Sequence, residues 1–128
     1  MNEASNPSTV APPLGNYSHT VKVPADAEWL VISGQVGVNK GGKLANGVLK
    51  QAEQCYKNIL GCLKANGMTK HDLVKTTVYL TDSRFVADFR AARDKVLGTD
   101  VAPTSTLLIV DGLAAPEMLI EIEAWAAK

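Results

Sequence analysis

Between Gly47 and Ala65, the apolar residues Val48, Ala52, Cys55, Ile59 and Leu63 recur every three or four positions, with polar residues between them. That period places a single apolar stripe along an α-helix. Asn46 is the expected cap at its start, and Asn66-Gly67 the expected left-handed stop. A second stripe, Phe85, Phe89, Ala92 and Val96, predicts another helix that begins after Thr81-Asp82-Ser83 and ends near Gly98. The other apolar segments are shorter and rich in β-branched residues, as strands are. They are Trp29–Ser33, Leu73–Leu80, Thr104–Val110 and Met118–Ala126. His19–Val23 adds a short alternating strand, turned by Pro24-Ala25-Asp26-Ala27, and Asn39 to Lys43 reads as a hairpin-like loop.

The predicted order is β-β-α-β-α-β-β. Each helix has one apolar side, so both should cover the same face of one sheet, giving an α+β two-layer sandwich. The other face is then uncovered. In the last strand Ile120, Ile122 and Ala124 point one way, and Leu119, Glu121, Glu123 and Trp125 the other. An open sheet face of this kind is expected to pack against another subunit. Residues 1–13, with three prolines, read as a flexible arm, and residues 14–128 as the folded domain.

Composition narrows the partners. The 128 residues suit one domain, and an apolar fraction of 46% excludes a disordered chain. Thirteen basic and thirteen acidic residues give no net charge, so no general field attracts nucleic acid or an anionic membrane. The N-terminus lacks the pattern of a secretory signal, and no apolar run approaches the ~20 residues of a membrane helix. Cys55 and Cys62 fall on one helix with α-carbons about 10 Å apart, too far for a disulfide. Two free thiols fit a reducing, cytoplasmic setting.

Several chemical motifs fail on inspection. Gly37 to Lys43 matches Gly-x-x-x-x-Gly-Lys, but Leu44 offers no hydroxyl for magnesium and the helix begins too late to lend its dipole. A polar hairpin is the better reading. His19 and His71 have no second ligand at useful spacing, so no metal site is expected. Cys55 and Cys62 read as core packing, and nothing resembles a nucleophile elbow. No cofactor is expected.

Four segments remain: Gly15-Asn16-Tyr17-Ser18, Ser33-Gly34-Gln35, Val74 to Asp82, and Ile120-Glu121-Ile122-Glu123-Ala124. Each alone is modest, a strand end or an edge strand. In this order and spacing, across about residues 13–126, they resemble the Rid family (reactive intermediate deaminases, also called YjgF or L-PSP endoribonuclease-like). The resemblance implies a chorismate-mutase-like fold and a homotrimer, with three sheets forming a central barrel and small-molecule clefts between subunits. It also implies hydrolysis of enamines and imines to ammonia and a keto acid. Tyr17 would then stand at the cleft mouth and Ser33, Gly34 and Gln35 at its wall. Glu121 would be the water-orienting catalytic carboxylate, with Ser105 and Thr106 also against the substrate.

One departure bears on the substrate. Family members carry an arginine two residues after the proline of Pro-x-Arg-Ser, where this chain reads Pro103-Thr104-Ser105-Thr106. An arginine fork grips a carboxylate with charge-assisted bonds worth about 1.5–3 kcal/mol each, against about 0.5–1.5 for a neutral hydroxyl. Phe89 and Leu107 replace an expected asparagine and cysteine. Short imino acids should therefore be poor substrates unless Lys22, Lys75 or Arg93 supplies the charge. Three readings stand: a hydrolase with a different imine or enamine substrate, a non-catalytic binding trimer, and a ribonuclease. The absence of a basic-aromatic stripe argues against the last.

Overall fold

A computed structural model describes all 128 residues. The strands are β1 (Glu3–Ser5), β2 (Thr20–Lys22), β3 (Trp29–Val36), β4 (Leu73–Leu80), β5 (Thr104–Ile109) and β6 (Ile120–Ala127). Helix α1 (Val48–Ala65) lies between β3 and β4, and α2 (Val86–Leu97) between β4 and β5. The main sheet runs β3-β6-β4-β5. β4 and β5 are parallel, so their link must cross over, and α2 is that crossover. β6 is antiparallel to both β3 and β4, which leaves β3 and β5 as the sheet's edges.

Alternation along β6 separates the two faces. Ile120, Ile122, Ala124 and Ala126 are fully buried beneath the helices. The α1 stripe meets them as the periodicity predicts, since Ala52, Cys55, Ile59 and Leu63 are likewise fully buried. Tyr56 stacks on Phe89 of α2, ring centroids 6.3 Å apart at 28°. Burying each large apolar side chain contributes about 1.5–3 kcal/mol, so this layer holds the fold.

Polar groups fix how the layers meet. Gln51, buried on α1, donates from Nε2 to the carbonyls of Ala45 (3.1 Å) and Glu117 (3.0 Å). Its Oε1 accepts the Leu119 N–H at 2.9 Å, which anchors the chain entering β6. At Gly37 the chain passes so close to this helix that a Cβ would lie 2.6 Å from the Gln51 α-carbon.

Three local features differ from the sequence expectations. Asn46 does not cap α1: Gly47 holds that place with φ of 83° and no side-chain cap. The expected strand at His19–Val23 narrows to Thr20–Lys22 and stands outside the main sheet. It pairs with Glu3–Ser5 from the segment expected to be a flexible arm. Asn2 ties that segment down further, donating from Nδ2 to the Ala127 carbonyl at 2.8 Å. The loop at Asn39–Lys43 is a polar hairpin, closed by Asn39 N–H to the Lys43 carbonyl (3.0 Å), with Gly42 at φ 81°. No helix is long and apolar enough to cross a membrane.

Candidate functional site

The uncovered sheet face carries a local irregularity beside a free carboxylate. Register between β3 and β6 passes from Ile32 opposite Ala124 to Gln35 opposite Ile122, so β3 holds one extra residue. Gly34 lies in this bulge. A Cβ there would fall on the Glu121 carboxylate, 2.8 Å from its Cδ. Bare glycine backbone is what lets the Glu121 side chain lie across β3. Cys55 reaches the same bulge from below, its Sγ–H donating to the Gln35 carbonyl at 3.1 Å. Burial, and secondarily the Glu121 charge, pushes that thiol up to about 12. Gln35 Nε2 turns back to the Ser33 carbonyl at 3.2 Å.

Glu121 and Glu123 share this face but not the same surroundings. The Tyr79 hydroxyl donates to Glu123 Oε1 at 2.9 Å, and this bond raises the phenol pKa. Glu121 takes part in none of the side-chain hydrogen bonds or the six ion pairs. It is a half-buried carboxylate with both oxygens uncommitted.

The second group lies at the other edge of the sheet. A hollow of about 310 Å³ has Leu14, Gly15, Asn16 and Tyr17 on one wall. Phe89, Arg90 and Arg93 of α2 form another, and Ser105 and Leu107 of β5 close it. Ser105 reaches the hollow because it pairs with Thr76, a buried position on the helix-covered face. The Tyr17 hydroxyl accepts the Leu14 N–H at 3.2 Å, which leaves its own proton free to donate. A larger hollow of about 660 Å³, between Met1, Asp26, His71 and Lys128, contains none of the expected site residues.

Comparison with known proteins places this arrangement. A family model described as Endoribonuclease L-PSP matches residues 8–128. The chain belongs to this family, the Rid family. A RutC family protein of Pyrococcus horikoshii is 34% identical over 91% of this chain and 90% of its own. The Escherichia coli protein named 2-iminobutanoate/2-iminopropanoate deaminase is 32% identical over 77% of this chain and 79% of its own. A RutC family protein of Aquifex aeolicus is 39% identical over 64% of this chain, a match spanning 63% of that protein. Among solved structures, a Rid-family protein of Yersinia pestis superposes with a TM-score of 0.84 at 33% identity, covering 99% of this chain and 98% of that one.

Within one Rid-family chain the expected site residues form two groups. Tyr17 and Ser105 share the hollow by α2. Ser33, Gly34 and Glu121 meet at the β3 bulge, while Gln35 beside them pairs with Ile122 of the helix-covered face. Thr106, pairing with Thr77, stands exposed on the open face of β5. No hollow within a single chain contains both groups. Of the alternative cations, Lys22 lies on β2 and Lys75 on β4, away from the hollow. Arg93 lines it, but its guanidinium donates to the Val101 carbonyl at 2.9 Å and meets Asp94 at 3.4 Å. Arg90 is the cation that the sequence reading passed over. It directly follows Phe89, and the helical period assigns it to solvent.

Proposed function

We propose that this protein is an imine or enamine hydrolase whose working cleft is assembled between copies of the chain. The observation that carries the reading is the uncommitted Glu121 carboxylate lying on bare Gly34 backbone. Neither oxygen is sealed from solvent or held by a protein donor, so the carboxylate is open to accept a proton from a water or substrate held above Gly34. In the proposed reaction Glu121 accepts a proton from water as the water oxygen bonds to the imine carbon. The proton then passes to nitrogen to give a carbinolamine, Glu121 carries the hydroxyl proton to the amine as the C–N bond breaks, and ammonia and a carbonyl compound leave. The E. coli and mammalian relatives named as iminobutanoate deaminases support this chemistry by analogy.

The cleft between copies is supported by the separation of the two residue groups and by the family. Ser105 stands where relatives are expected to carry arginine, so the shortest imino acids should be gripped poorly. Losing about 3 kcal/mol of transition-state stabilisation lowers a rate roughly a hundredfold.

The test is ammonia release from imines formed in place by amino-acid and amine oxidases. Wild type should accelerate hydrolysis of at least one, with the 2-iminopropanoate rate well below that of an arginine-bearing relative. Glu121→Gln should keep the fold and lose the acceleration, because the amide preserves size but not basicity. If no imine breaks down faster than in buffer, the protein is a binding module instead.

A further inference from the structure

The hollow beside α2 has a one-sided chemistry. Its lining includes two arginines and no aspartate or glutamate. The hydroxyls of Tyr17 and Ser105 add donors, and the Tyr17 proton is free because its oxygen already accepts the Leu14 N–H. Arg93 is held by Val101 and Asp94. Arg90 has no such anchor: none of the six ion pairs involves it, and it donates no hydrogen bond. Its guanidinium lies along the Gly15 backbone, where a Cβ would stand 3.8 Å from Nε, from Nη2 and from the Tyr17 ring. Phe89 and Leu107 give the same space an apolar floor.

We propose that Arg90 is a specificity-determining residue that binds the carboxylate of a small organic acid from α2, a role Ser105 on β5 cannot fill. The inference rests on the reading of this hollow as part of the ligand cleft. A rim with no carboxylate and an uncommitted guanidinium selects an anion, and the fork geometry suits a carboxylate. The apolar floor selects a short hydrocarbon tail. The ligand class is then a keto or imino acid held at a different angle from one gripped by an arginine on β5.

The experiment follows backbone amide shifts of the full chain during titration with 2-oxobutanoate, using 3-pentanone as a neutral ketone of similar size. The keto acid should bind saturably and shift Gly15, Tyr17 and Arg90, while the ketone does not. Arg90→Met should weaken binding about tenfold or more, the usual loss when a charge-assisted pair is removed, and Arg90→Lys should recover only part. Arg90 is exposed, so both variants should keep the wild-type spectrum elsewhere. Unchanged affinity in Arg90→Met, or equal binding of the ketone, overturns the assignment. Binding lost in Tyr17→Phe but kept in Arg90→Met also overturns it, while leaving the hollow as the ligand site. Arg90-dependent binding in a protein that hydrolyses no imine sustains this inference and removes the hydrolase.

Discussion

Glu121 and Glu123 leave one face of one strand two residues apart, yet they stand in different chemical positions. Tyr79 occupies Glu123, and nothing occupies Glu121. The sequence shows the Ile-Glu-Ile-Glu alternation but not which carboxylate is free, because that depends on Tyr79, which stands opposite Glu121 in the register yet donates diagonally to Glu123. It also shows Gly34 without its reason, which is the carboxylate lying above it. Arg90 was missed for a related cause. Its meaning comes from Gly15 and Tyr17, which are distant in sequence. Cysteine packing was legible as far as the stripe allowed, and the structure distinguishes the two thiols. Cys55 is fully buried with a pKa pushed up to about 12 by burial and then by the Glu121 charge, whereas Cys62 is partly exposed. Thiolate is the reactive form, so Cys55 stays protonated and inert at pH 8. Titration with an aromatic disulfide reagent should count one reactive thiol in the native protein and two after unfolding. Two fast thiols in the native state would contradict the packing of α1 on β3.

Secondary elements were recovered wherever a long apolar period existed. α1 and β4 match their expected spans to within a residue or so, because each buries one repeating set of side chains. The three-residue β1 was not recovered, since Glu3, Ala4 and Ser5 are all exposed and carry no period to read. Asn46 failed as a cap because the chain enters α1 through positive φ at Gly47, which a sequence pattern does not distinguish from an ordinary loop. How the helices lock together was equally hidden. Glu53, buried on α1, accepts from Lys95 of α2 at 3.0 Å and lies 3.4 Å from Lys50. The Lys95 bond, opposed by burial and aided by the Lys50 charge, holds its carboxyl below the usual range. A lowered folded-state pKa means the contribution is present above the ordinary glutamate pKa and fades as pH falls through the folded value. Both lysines are well exposed, so the gain is modest. Glu53→Gln should lower Tm by roughly 2–5 °C at pH 7, and its melting curve should converge with wild type in acid. A difference that persists unchanged at low pH would assign the effect to packing instead of charge.

At the scale of the whole molecule, the unfinished part is the open face. Trp29, Val31, Leu108 and Trp125 are 49, 60, 45 and 44% exposed, and all point away from the helices. Trp29 and Trp125 meet edge to face at 6.1 Å, which makes a continuous aromatic ridge beside the β3 bulge. A lone small domain rarely leaves such a ridge in water, and with no net charge this chain has little repulsion to keep copies apart. Covering the exposed part of one tryptophan contributes about 2–3 kcal/mol. Self-association on this face would also place one chain's Glu121 group near a neighbour, which the separation of the two residue groups requires for a shared cleft. The expected assembly is a trimer, the count that the Rid resemblance implies. Light scattering at micromolar concentration should give three times the 13.6 kDa of one chain. Trp125→Glu should leave each domain folded, because the side chain is half in solvent already. It should nevertheless bring the mass down to one chain, since burying a charged side chain in an apolar interface costs more than Lys75, its neighbour in the register, returns. Loss of imine hydrolysis in that folded monomer would tie the chemistry to the assembly. A wild-type mass of 13.6 kDa would remove the trimer, and full activity in the monomeric variant would return the whole site to a single chain.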